Sequence, residues 1–519
     1  MTEIEEVTEG QYRNLVVKYD TTAILELCNR FSTKLTRENR NMIAGEWPAS
    51  IGQFTHKKHF HITQHKIALL AMLTIQNYRY AHGKKPNPRE FIALVNNVST
   101  IRNEVDDLSV EDPKEKLFGI LVRLAYMQFP FQEGIHNLLP RHLLIYLNSK
   151  VESPPIDLDS VFHKNFGLHI IDYMTIGLAY YISSLHHMHF PRSFIENTKI
   201  RSLRKYVAPE NVDNFISRAT TDFRAFRDLC MREVTDYPKG GTYRFNPLFD
   251  RPIIIRKDRR FCIPVPMLVP YVVTKGLYYD FLDLFSGVGD NNPFCEWFGH
   301  AFEQYVGLLL KDTFGEKNVF SEPVYGKEHK RGPDWTVING NSAIVFECRS
   351  GRLNKKAKVY GEYEDISGLI DRNIIAPLVK IPNKIKDVKD GLTSIPCSKD
   401  MESFPCIVTY EPLYSTELFI DMIKQEFKDR EIPLYHFELM SIEDLEWLLA
   451  WANFENPIEF LKTKKANPDW KAMNVRQLIG EKAKELKIDF TNVRNTLLDR
   501  EFDRFWHEVT PELEKQTSD

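Results

Sequence analysis

The sequence predicts an α+β multidomain protein. A mostly helical N-terminal half precedes an α/β core of order helix, three strands, helix, strand (αβββαβ), and a helical tail follows. Three observations carry this. Apolar residues recur at helical spacing through 64–82, 89–107, 114–128, 158–187 and 210–233. Between 317 and 441, short apolar runs alternate with helical patterns. Two of those runs are separated by Asn339-Gly340, a two-residue hairpin turn. A length of 519 residues holds several domains with ample core. The boundaries read as a helical module over 1–150, a helical region ending in a β-hairpin over 151–290, the α/β core over 291–455, and a helical extension over 456–519. The linker-like NSKVESPPIDLDS (148–160) marks the first of them.

In chain order, RPIIIRKDRRFCIPVP (251–266) predicts a β-hairpin turning near Lys257-Asp258-Arg259, and LVPYVVTKGLYYDFLDLF (268–285) a helix. Asp290-Asn291-Asn292-Pro293 reads as a loop and helix start. The apolar stripe Phe298, Phe302, Tyr305, Val306, Leu309, Leu310 then marks a buried helix that also carries Glu303. KNVFSEPVYG (317–326), DWTVI (334–338) and SAIVFEC (342–348) read as three strands. Residues 360–389 are helical in pattern, although Pro377 and Pro382 interrupt them. PCIVTYEPL (405–413) is a fourth strand, 415–430 a helix, IPLYHFELMS (432–441) a fifth strand and 442–452 a helix. VRQLIGEKAKELKI in the tail has helical spacing and no legible chemistry.

Composition excludes several classes. With 43% hydrophobic and 27% charged residues the chain is globular, and a net charge of -3 means that any contact with nucleic acid must come from local patches. Seven scattered cysteines without a C-x-x-C pair argue against a zinc ribbon and fit a reducing compartment. The acidic N-terminus has no apolar signal core, and MTIGLAYYISSL (174–185) is too short and polar to span a bilayer. A soluble cytoplasmic protein without a membrane partner is expected. No P-loop or dinucleotide fingerprint is present. The histidines at 56, 59, 61 and 65 lack partner spacing for zinc and read as a surface loop entering a helix. His186, His187 and His189 read as a helix end.

The chemistry concentrates in GPDWTVINGNSAIVFECRSGR (332–352). Strand residues two apart share a face, so Glu347 and Arg349 project together and Cys348 turns away into packing. If the two strands pair, Asp334 sits beside Glu347. Two carboxylates and one fixed cation in a cleft suit a divalent metal acting on a phosphodiester. Pro333-Asp334 followed by Glu347-Cys348-Arg349 at the end of an apolar strand resembles the signature of the PD-(D/E)XK, or restriction-endonuclease-like, nuclease superfamily. Arg349 stands where that signature usually has lysine. The resemblance covers roughly 294–445.

The resemblance implies a restriction-endonuclease-like core and a Mg²⁺-dependent endonuclease in which Mn²⁺ substitutes. Asp334, Glu347 and the Cys348 carbonyl would be the metal ligands, and Glu303 is the candidate from the first helix. DNA is the expected substrate, with RNA as an alternative, in the manner of prokaryotic restriction or anti-phage defence nucleases. The helical half would meet a partner protein or form an oligomer. Arg349 cannot act as a base, because a guanidinium stays protonated. It works electrostatically, or a lysine from elsewhere (Lys355, Lys356, Lys380 or Lys384) replaces it, or the site has lost hydrolysis and the chain is a silent subunit that binds nucleic acid or scaffolds a partner. Lys327, Lys330, Arg331, Arg352, Lys355, Lys356, Lys358, Lys380, Lys384, Lys386 and Lys389 crowd this region and read as a phosphate track.

Overall fold

The computed structural model describes residues 7–38, 40, 42–46, 59–78, 83–103, 113–191, 208–288, 292–412, 417–471, 473–489 and 493–509. His56, Asp290, Asn291 and the first six residues lie outside that set, as do the ends of the 64–82 and 89–107 segments.

The N-terminal half is helical, with interruptions that have local causes. The helices Thr21–Arg37, Gln64–Gln76 and Pro88–Asn97 share an apolar cluster centred on Ile24, Leu70 and Phe91. The histidine loop is instead a strand, His59–Thr63, paired antiparallel with Met42–Glu46, and His65 already belongs to the following helix. Helix α1 (Ile135–Tyr146) accepts Pro140 in its interior. The continuous pattern at 158–187 is two helices, Leu158–Phe166 and Ile170–His186, because Gly167 adopts φ 66° and ends the first. The pattern at 210–233 divides at Thr220–Asp222, a short strand whose Asp222 caps the next helix by accepting from the Ala225 N–H at 2.8 Å. That strand joins a four-stranded sheet with Ile253–Ile255, Phe261–Cys262 and His189–Phe190, so the expected hairpin at 251–266 is present. The 268–285 helix breaks at Thr274 into Leu268–Val272 and α2 (Lys275–Leu284).

The second half is a three-layer α/β/α arrangement. Helix α3 (Pro293–Phe314) opens where the Asn292 side chain accepts from the Phe294 N–H with proline in the first turn. The 317–326 segment is not one strand. It gives β1 (Val319–Ser321), and then β2 (Val324–Tyr325) pairs with β3 (Lys330–Arg331) in a separate two-stranded ribbon. Next come β4 (Trp335–Asn339) and β5 (Ser342–Arg349), joined by the expected turn, with Gly340 at φ 60°. A helical stretch, Tyr363–Ile370, continues through one π-helical turn into α4 (Ala376–Lys389), which carries Pro382 internally. Strand β6 (Glu402–Thr409), α5 (Glu417–Asp429), β7 (Glu438–Ser441) and α6 (Ile442–Ala450) complete the core. Of the expected 432–441 strand, only the last four residues pair.

The sheet order is β7-β6-β5-β4-β1. β1, β4 and β5 form an antiparallel meander, whereas β6 and β7 run parallel to β5. Ile344, Phe346 and Cys348 face the core built by α3 and α6, while Ile407 packs with α4 and α5 on the other side. The first of these cores runs without a break from Leu139 through Phe281, Phe294 and the sheet to Val509, in the last described helix, α7 (Thr496–Val509). Across the 290 boundary, helices α1 and α2 therefore share one interior with the sheet.

Candidate functional site

The register of β4 against β5 builds the site. Trp335 lies opposite Phe346, so the residue before one and the residue after the other, Asp334 and Glu347, are neighbours at the strand ends. Gly332 and Pro333 bring the chain into β4, and the Gly332 N–H donates to the Pro323 carbonyl at 2.9 Å, closing the base of the β2–β3 ribbon. Asp334 is held by the backbone, because its Oδ2 accepts from the Cys348 N–H at 2.7 Å. Glu347 is 1% exposed and is held by two cations. Its Oε2 accepts from Arg349 Nη2 at 2.6 Å and its Oε1 accepts from Lys384 Nζ, on α4, at 2.6 Å. Burial, and then the charge of Asp334, push the Glu347 carboxyl above the usual range, and Lys384 and Arg349 pull it back.

The Arg349 guanidinium spans the site. Nη1 donates to Asp334 Oδ2 at 3.2 Å and to the Cys348 carbonyl at 2.6 Å, while Nη2 reaches Glu347. The three oxygens expected to hold a divalent cation thus converge on one positive group. An all-oxygen set of two carboxylates and a carbonyl suits Mg²⁺, so the donors fit once the guanidinium moves aside. Among the described residues no group of three or more His, Cys, Asp or Glu side chains is placed to hold a metal ion. The third oxygen here is a backbone carbonyl, and Arg349 stands between the carboxylates.

Two further acids approach. Glu303, on α3, is half-buried, and burial followed by Asp334 pushes its carboxyl up to about 7. The packing of α3 on β4 fixes it, because Trp335 Nε1 donates to the Glu303 carbonyl at 2.9 Å. Glu322, just after β1, is raised by burial and by Asp334, and its Oε2 lies 3.4 Å from Arg331 Nη1. The sequence reading missed Glu322. Its only signal was an acid followed by proline at the end of a short strand.

The basic residues divide by place. Lys330 and Arg331 lie in β3 with side chains 58% and 71% exposed, next to the site. Arg352 is enclosed by aromatic rings, its guanidinium carbon 3.4 Å from the centre of the Tyr278 ring and 4.4 Å from that of Tyr410. Lys358 donates to Glu411 at 2.9 Å and Lys355 pairs with Glu233 of the helical half. Lys356 lies 2.9 Å from Glu362 and 3.0 Å from Asp365. Of the four lysines considered as substitutes for Arg349, Lys384 is the one that contacts a site carboxylate. Cys348 packs into the core, and burial pushes its thiol up, away from nucleophilic use.

Comparison of the chain with protein-family models, with curated proteins and with solved structures finds no match in any of the three.

Proposed function

We propose that the chain is a metal-dependent nuclease of the PD-(D/E)XK type that hydrolyses phosphodiesters in duplex DNA. The observation that carries this reading is the joining of Asp334, Glu347 and Lys384 at the ends of two paired central strands, within a sheet in which β1, β4 and β5 are antiparallel and β6 and β7 run parallel to β5. A divalent cation bound here would supply activation of water and neutralisation of the phosphate charge. The protein's own part is positional. Asp334, Glu347 and the Cys348 carbonyl would form the ligand set, and the Cys348 N–H fixes Asp334 within it. Lys384 takes the place of the motif lysine, with its ammonium on Glu347 Oε1. Arg349 offers a planar fork to two phosphate oxygens. The β2–β3 ribbon supports the choice of duplex DNA, since a two-stranded ribbon fits the major groove and this one carries Lys330 and Arg331 on exposed positions beside the site. By analogy of architecture the role is restriction or anti-phage defence, with the helical half meeting a partner.

A second reading has its own observation. Arg349 already neutralises the metal ligands, which suits a silent nuclease-fold subunit that binds nucleic acid or scaffolds a partner. A plasmid assay separates the two. The purified chain, incubated with supercoiled and linear plasmid in Mg²⁺, Mn²⁺ or EDTA, should cut only with metal, and Glu347→Ala should abolish cutting. Uncut plasmid in every condition would favour the silent subunit.

A further inference from the structure

We infer that the Arg349 guanidinium is a displaceable occupant of the divalent-cation position, so that metal enters only after a substrate phosphate has drawn Arg349 away. The inference rests on the nuclease reading of the site and adds an order of events to it.

The geometry makes the two cations alternatives. Arg349 Nη1 is 2.6 Å from the Cys348 carbonyl and 3.2 Å from Asp334 Oδ2, and Nη2 is 2.6 Å from Glu347 Oε2. A Mg²⁺ ion binds oxygen at about 2.0–2.1 Å and needs those same lone pairs, and two positive charges in one small site repel. Arg349 must therefore leave before a metal can enter.

The carboxylates stay in place when it leaves. Glu347 keeps Lys384 on its other oxygen, and Asp334 keeps the Cys348 N–H. The ligand set is held by groups the metal does not displace, while Arg349 keeps 27% of its side chain exposed. A partly exposed, planar, bidentate donor has a natural second partner in the phosphodiester itself. Exchange of carboxylates for phosphate frees the three oxygens at the moment the substrate arrives. Linkage then works in both directions: phosphate raises affinity for metal, and metal raises affinity for phosphate by the same factor. Without nucleic acid the site is neutralised internally and holds little metal.

The test is calorimetric titration of Mn²⁺ into the full chain as wild type, Arg349→Gln, Arg349→Lys and Asp334→Asn, with and without a short phosphorothioate duplex that resists hydrolysis. Without duplex, Arg349→Gln should bind Mn²⁺ about tenfold or more tighter than wild type, and Asp334→Asn should lose binding. Duplex should tighten the wild type by a similar factor and leave Arg349→Gln within about twofold. Arg349→Lys keeps the charge, so it guards against misfolding of the neutral variant; a single ammonium satisfies fewer of the three oxygens, and its affinity should fall between the other two. Equal Mn²⁺ affinity in wild type and Arg349→Gln, with Asp334→Asn still defective, overturns the displacement and leaves the nuclease reading standing. Absence of Mn²⁺ binding in every variant overturns both.

Discussion

At the scale of single residues, the proposed nuclease would divide between Lys384 and Arg349 two duties that one motif lysine usually combines. Lys384 touches Oε1 of Glu347, whereas Arg349 fills the space between Glu347 Oε2 and Asp334. Lys384→Ala should therefore lower single-turnover cleavage by about 10²–10³-fold, the cost of losing one aimed electrostatic group, while duplex affinity changes little. An unchanged cleavage rate would place the water-orienting role on another residue. Asp334 and Glu347 were legible in the sequence because a Gly-Pro turn and an apolar strand ending in charge are local signals. Lys384 was only one of four candidates. It lies 37 positions from Glu347, and sequence spacing cannot say how a helix is rotated against a sheet. Glu322 was invisible for the same reason, since only the fold brings its carboxyl toward Asp334.

At the scale of elements, the site depends on how closely α3 lies on β4. Gly307 makes that approach possible. A Cβ there would meet the Trp335 ring at 2.1 Å, and the ring is pinned by its bond to the Glu303 carbonyl. Gly307→Ala should gain about 1 kcal/mol of helix propensity and lose more to overpacking, about 1–3 kcal/mol. A net fall in melting temperature and in cleavage is expected, because Trp335 directly follows Asp334; a more stable variant would contradict this packing account. The meander, its turn and the following helices were readable from alternation and from Asn-Gly. The separate β2–β3 ribbon was not, because Val324 and Tyr325 continue the apolar pattern of β1 and only the chain reversal after Gly326 reveals a second pair.

At the scale of the whole molecule, buried charge ties the helical half to the α/β core. Arg141 of α1 reaches Glu446 of α6 through Nε at 2.6 Å and also pairs with Glu133, which meets Lys275 of α2 at 2.8 Å. Next to Arg141, His142 has Nδ1 2.6 Å from the Leu138 carbonyl and Nε2 2.8 Å from the Tyr410 hydroxyl. The carbonyl can only accept, so Nδ1 carries the proton and Nε2 accepts from Tyr410. Burial first, and then Arg141, lower His142 to about 3. The unfolded chain takes up that proton near pH 6.5 and the folded one does not. Between about 6.5 and 3 the unfolded state binds more protons, so this histidine lowers stability as pH falls, by up to about 1.4 kcal/mol per pH unit. The melting temperature of wild type should drop more steeply from pH 7 to 4.5 than that of His142→Gln; parallel curves would show that His142 is not held neutral. The helical half gave no fold in the sequence, because its partners are distant and its charges are paired across the 290 boundary. Across that boundary α1 packs on α7, residues 135–146 on residues 496–509. On a ribosome adding about 5–20 residues per second, α1 would wait on the order of 20–70 seconds for that neighbour, its apolar face open while the sheet is still emerging. A polypeptide built this way completes its shared interior late in synthesis, which sets how long the nascent chain must be shielded from aggregation.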